Sequence, residues 1–176
     1  MECTYVEKGD KLKWLNFKDL AIKSIESIMQ SFRDIFPQLT IDELQLIEKL
    51  RSQAKKGYLP DPKALEELAE TEKSEKILAL AALTHREIAR LLASIYFSEH
   101  AYIDEAIGAY IQALSLLIGL ASLLHNKRRI LEETLRTLGE LVFIAKKEKG
   151  REDINRVIIT VRTIIEGILK TLNIGD

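Results

Sequence analysis

The chain has 176 residues, 47% of them hydrophobic and 30% charged, with 26 Lys and Arg against 27 Asp and Glu and a formal charge of −1. The apolar fraction excludes an intrinsically disordered chain, the single Cys3 excludes a disulfide scaffold, and 8 Gly with 3 Pro exclude a collagen-like or low-complexity one. Near-neutral charge gives no global pull toward nucleic acid or anionic lipid, and the length suits one domain with a core of its own.

From Met1 to Phe17 there is no apolar run of the kind that opens a secretory signal. Thr4-Tyr5-Val6 and Leu12-Lys13-Trp14 flank Gly9-Asp10, at most a short hairpin, and a lone hairpin is marginal in water. Residues 1–16 therefore read as an irregular leader tacked down by Trp14. The lone cysteine suits a reducing compartment, so the expected location is the cytoplasm. Sparse Asn and Gln beside abundant Lys, Glu, Ile and Leu make a thermophile-like composition.

Helical periodicity runs through the rest. Phe17, Ala21, Ile25, Ile28, Phe32 and Ile35 place one apolar face on a first helix that Pro37 ends. Thr40-Ile-Asp-Glu43 is a capping box, and Ile41, Leu44, Ile47, Leu50 and Ala54 line the helix that follows until Gly57. Asp61 and Pro62 read as N-cap and first helical residue, with Leu65 and Leu68 on a short apolar face. Thr71 to Ser74 is either a break or a continuation. Ile77, Leu80, Ala81, Thr84, Ile88, Leu91, Leu92 and Ile95 carry the pattern toward His100.

Ala106 to Leu124 holds no charged residue over 19 positions, close to the ~20 that span a bilayer, and Lys127, Arg128 and Arg129 follow it. Gln112 in mid-segment and the amphipathic neighbours favour a buried central helix, capped by Asp104, over a membrane span. Gly108, Gln112, Ser115, Gly119 and Ser122 form a narrow stripe of small or polar residues, expected to admit a close neighbour within the chain. Ile107, Ile111, Leu114, Ile118 and Leu124 occupy the opposite side. Leu131, Leu135, Leu138, Val142 and Ala145 face one way on the next helix, which Gly150 ends. Asp153 is expected to cap the last one. There Ile154, Val157, Val161, Ile164, Ile168 and Leu172 make a heptad-like seam that Ile158, Ile159, Ile165 and Leu169 widen.

Residues 89–116, with Ala93, Tyr96 and Tyr102 followed by Asp104-Glu105-Ala106-Ile107, Tyr110 and Ala113-Leu114, resemble one tetratricopeptide repeat. The resemblance implies an α–α hairpin related to helical interaction proteins. Ile103 is an extra residue against that pattern, His100 stands where glycine turns the chain, and no second repeat follows at the family's period.

Phosphate-binding glycine loops, a GxSxG elbow, HExxH and Glu-x-x-His are all missing from the sequence. Cys3 has no nearby His in sequence to activate it, and His85, His100 and His125 are scattered. Glu66-Glu67, Asp104-Glu105 and Glu132-Glu133 are adjacent pairs, which point about 100° apart on a helix and make no shared site. No catalytic, cofactor-binding or metal residue is nominated. The remaining signal is basic, a candidate for phosphate contact: Lys127, Arg128 and Arg129 open one helix, while Lys146, Lys147, Lys149 and Arg151 close it and begin the next. The two groups lie about 30 Å apart, too far for one compact patch but able to touch an extended polyanion.

The expected fold is all-α: a single antiparallel bundle of six or seven helices around a central, largely uncharged helix, one helical domain over residues 1–176. The expected function is a non-enzymatic protein-interaction or scaffold subunit of a cytosolic complex, with a protein partner or homo-oligomer through the C-terminal helix. The alternative is an accessory subunit touching RNA or DNA backbone. Such a subunit would be similar in size and helicity alone to the helical small subunits of CRISPR effector complexes. Neither a cofactor nor a membrane is expected.

Overall fold

The computed structural model describes residues 17–99, 102–123, 127–148 and 150–175, so the leader with Cys3 and Trp14, His100, Leu124, His125 and Lys149 lie outside the described residues. Among the described residues the chain forms seven helices and no strand. These are α1 (Phe17–Ile35), α2 (Ile41–Lys55), α3 (Pro62–Glu72), α4 (Glu75–Glu99), α5 (Ile103–Leu123), α6 (Lys127–Lys147) and α7 (Glu152–Gly175). The chain divides into two compact units, Met1–Glu87 and Ile88–Asp176, with the boundary inside α4.

In the first unit the helix ends follow local chemistry. The Phe36 N–H reaches the Phe32 carbonyl at 2.8 Å, closing the last turn of α1 before Pro37. The Glu43 N–H donates to Thr40 Oγ1 at 3.2 Å, and the Thr40 N–H donates to Glu43 Oε1 at 2.8 Å, completing the capping box of α2. Past α2 the Gly57 N–H bonds the Ala54 carbonyl and the Tyr58 N–H the Gln53 carbonyl, with Gly57 at φ 93°, a Schellman ending. Asp61 accepts from the Lys63 N–H at 3.0 Å ahead of Pro62. The stretch at 71–74 is a break: Lys73 takes the left-handed conformation, and Ser74 Oγ then accepts from the Ile77 N–H at 3.2 Å to start α4.

The expected row of α1 is buried from Ala21 to Ile35, joined by Met29. On α2 only Ile47, Leu50 and Ala54 of the expected row are buried; Ile41 is 74% exposed and Leu44 is exposed as well. The apolar period extends further along α2 than the surface that covers it. The opening of α4 is enclosed all round from Ala79 to Arg86, where each fully buried Leu or Ile contributes about 1.5–3 kcal/mol.

In the second unit α5 packs on α6 and α7, and α6 packs on α7. Arg151, just before α7, bonds Asp104 in the first turn of α5 at 3.0 Å. The two helices thus start at the same end, and α6 runs the opposite way between them. Ala106, Ala109, Tyr110, Ala113, Leu114, Leu117, Leu120 and Ala121 form the buried side of α5.

Four expectations are corrected here. Gly108, Gln112, Ser115, Gly119 and Ser122 do not admit a neighbour within the chain: all five are exposed, and a Cβ at Gly108 or Gly119 would meet nothing within 4 Å. The alanines on the other side permit the close packing instead. Asp104 and Asp153 lie inside the first turns of their helices rather than at the caps. On α6 the core row is Ile130, Leu131, Thr134, Thr137, Leu138, Leu141 and Ile144, while Leu135 is exposed. On α7 the seam is Ile154, Ile158, Val161 and Ile165, while Ile164 is exposed and Val157 and Ile168 are half-buried.

Candidate functional site

Of the residues nominated for phosphate contact, Lys127, Arg128, Arg129, Lys146 and Lys147 occupy the two ends of the 21-residue α6. Lys127 begins the helix, Arg128 and Arg129 are exposed in its first turn, and Lys146 and Lys147 are exposed in its last. Arg151 is committed elsewhere. Its guanidinium grips Asp153 through two bonds of 3.0 and 2.9 Å and reaches Asp104 with a third. The bonds to Asp153 and then Asp104 raise the Arg151 pKa further, and the Arg151 bonds hold Asp153 down to about 2. This fork ties the entrance of α7 to that of α5 and leaves little of Arg151 for another anion.

Between the two basic ends the structure places residues that sequence reasoning missed. Arg136, one of them, has a side chain 61% exposed and spends one nitrogen on Glu133, itself buried, at 3.1 Å. Phe143 is 54% exposed, with Lys147 Nζ 5.7 Å from its ring centroid. Gly139 lies one turn before Phe143, and a Cβ there would meet nothing within 4 Å. The signal was present in the spacing: 128, 132, 136, 139, 143 and 147 step by three or four, which is one helical face.

Beside that face is a cleft of about 440 Å³ lined by Arg90, Tyr110, Arg136, Gly139, Glu140 and Phe143, among others. Arg90 holds the Glu140 carboxylate through bonds of 2.7 and 2.9 Å, and the Tyr110 hydroxyl donates to the same carboxylate at 3.0 Å. A carboxylate that already accepts three hydrogen bonds has little lone-pair capacity left, so Glu140 organises the cleft and is poorly placed as a general base. A second, larger depression of about 710 Å³ runs between α6 and α7, with Val142, Ala145, Ile158 and Ile159 among its lining and Lys146 and Arg162 beside Glu148 and Glu152.

In the first unit His85 is buried, with Nε2 3.0 Å from Glu66 Oε2. Its Nδ1 is enclosed without a hydrogen-bond partner among the described residues. Arg86 is buried beside it and donates to Ser31 Oγ at 3.0 Å. Among the described residues no group of three or more His, Cys, Asp or Glu is placed to hold a metal ion. The α5 helix is long and apolar enough to cross a membrane, and half of its most apolar window is buried inside the chain.

Compared with protein-family models, with curated proteins and with solved structures, the chain matches none.

Proposed function

We propose that this chain is a non-enzymatic interaction subunit of a cytosolic complex and that it associates with a protein partner through the exposed face of α5. The observation that carries this reading is the chemistry of that face. From Gly108 through Gln112, Ser115 and Gly119 to Ser122 and Leu123 it is exposed, yet it bears no charge. A solvated helix face ordinarily carries charged residues. Small side chains without charge lose little hydration when covered and let a second helix approach closely. On the C-terminal helix, Ile159, Ile164 and Leu169 are also exposed and extend the apolar surface available to a partner. The resemblance of residues 89–116 to a helical-repeat hairpin points the same way.

The test places a charge where the partner would sit. Ser115→Arg is exposed, so the variant is expected to keep its melting temperature and helical circular dichroism. A photo-crosslinking residue at position 115, expressed in the source cells, is expected to give an adduct of one discrete mass, and Ser115→Arg to abolish that complex in light scattering of the isolated assembly. If the probe at 115 gives no adduct while the chain is present and folded, the reading is wrong.

A further inference from the structure

We propose that one side of α7, carrying Ile159, Arg162, Glu166 and Leu169, packs antiparallel against the same side of a second copy of this chain. The four positions step by three, four and three residues, so they lie along one side of the helix. All four are exposed, Ile159 by 62% and Leu169 by 40%. The buried seam of α7, with Ile154, Ile158, Val161 and Ile165, lies on a different side and is already occupied by packing on α5 and α6. With 24 residues, α7 offers a contact about 36 Å long. The contact goes beyond the association through α5 and does not depend on it.

The order of the side chains selects a second copy as the occupant. From either end of the helix this side runs apolar, charged, charged, apolar with the same spacing, and reversal exchanges Arg162 with Glu166. Laid antiparallel on itself, it sets Ile159 against the partner's Leu169 twice and Arg162 against the partner's Glu166 twice. Laid parallel, it would oppose arginine to arginine and glutamate to glutamate. An antiparallel contact of this kind is two-fold and self-complementary, the commonest symmetry among soluble oligomers. Its charge pairs fix direction and register, while the apolar pairs supply the burial.

The charged pair is also available. Arg162 and Glu166 stand one turn apart, yet neither side chain forms a hydrogen bond or an ion pair among the described residues. An arginine four residues ahead of its glutamate is the less favourable order for pairing within a helix. Thr163, exposed beside them, donates its hydroxyl to the Ile159 carbonyl at 2.9 Å, so covering it strands no donor. Ile159 and Arg162 also line the depression of about 710 Å³ between α6 and α7, together with Val142, Ala145 and Ile158. The antiparallel register carries the partner's Leu169 to this place, where it covers the open side of Ile159 and meets further hydrocarbon beneath.

The experiment is sedimentation velocity of the full chain over a concentration series. The parent chain is expected to pass from monomer to dimer as concentration rises. Arg162→Glu or Glu166→Arg alone opposes like charges twice across the two-fold, and each is expected to weaken the dimer by about tenfold or more. The double variant R162E/E166R restores both pairs with their signs exchanged and is expected to dimerise like the parent. An equimolar mixture of the two single variants is expected to form the mixed dimer, because one presents only acids on this side and the other only bases. Both positions are exposed, and circular dichroism checks that each variant keeps its helices. The proposal is overturned if the parent chain stays monomeric at its highest soluble concentration, or if the single variants dimerise as well as the parent. It is also overturned if neither the double variant nor the mixture recovers the dimer. A dimer lost in Ser115→Arg but kept in Arg162→Glu would place self-association on α5 and overturn it as well. Loss of the adduct at position 115 with the parent dimer intact would sink the α5 reading alone, so the two fail separately.

Discussion

Glu43 serves two contacts at once. Its carboxylate accepts from the Thr40 N–H at 2.8 Å and from Lys76 Nζ at 3.0 Å, joining the start of α2 to α4. Burial by itself raises its pKa, but the Thr40 backbone bond and the Lys76 contact outweigh burial, and the carboxyl lies below its ordinary value. A depressed folded value means stability that is present above the unfolded pKa and lost as pH falls through the folded one. Glu43→Gln is therefore expected to lower stability at neutral pH by about 0.5–1 kcal/mol. That gap should close in urea melts as the pH drops below about 4, and a gap that persists in acid would show that charge is not its source. Lys73 is the converse case. It sits at φ 51° and ψ 47° after α3, exposed, where a Cβ is disfavoured and glycine is not. Lys73→Gly is expected to raise stability by up to about 1 kcal/mol, measured by thermal melting. The capping box and the Asp61-Pro62 start were legible because both partners lie within three residues. The break at Lys73 was ambiguous because lysine does not announce a left-handed residue. The Arg90–Glu140–Tyr110 cluster was not legible, since its members stand 50 and 30 residues apart in the chain.

Among the elements, α6 shows why an apolar period can mislead. Its core row includes Thr134 and Thr137, both fully buried. Each hydroxyl donates to a carbonyl one turn earlier, Ile130 and Glu133, at 2.7 Å, so each buried threonine presents satisfied polarity and a methyl group. Counting only hydrocarbon residues rotated the expected face toward Leu135, which is 49% exposed. The same kind of rotation separates Ile164 from the true seam of α7, where Ile158 and Ile165 are buried. In α7 the wide stripe of isoleucines fits several faces equally well, and contacts with α5 and α6 choose among them. Gly167 lies on the exposed side of α7, and a Cβ there would meet nothing within 4 Å. Gly167→Ala should then stabilise the helix by about 0.5–1 kcal/mol, because alanine loses less backbone freedom on folding. A lower melting temperature would mean that this side of α7 is covered.

For the molecule as a whole, the chain belongs to the all-α class with seven helices among its described residues, and it clusters into two compact units whose boundary falls within α4. No composition shift, proline run or polar linker marks that boundary, because it lies inside a continuous helix. The charge of −1 is likewise a sum that conceals its distribution: the solvent face of α6 is basic although the chain is not.

What the sequence by itself determined was the set of helices and most of their ends. Those signals act between residues at most four apart: the Thr40 box, Asp61 before Pro62, the positive φ of Gly57, and the apolar recurrences that built α1 and the opening of α4. Only the tertiary structure decided which side of α5 is buried. That helix carries alanines on one side and glycine, serine and glutamine on the other, and both sides are small enough to pack closely. Burying the alanine and leucine side removes more apolar surface from water and strands no polar group, so α6 and α7 cover that side and the small polar stripe faces out. The uncharged open face of α5 is what that choice leaves exposed.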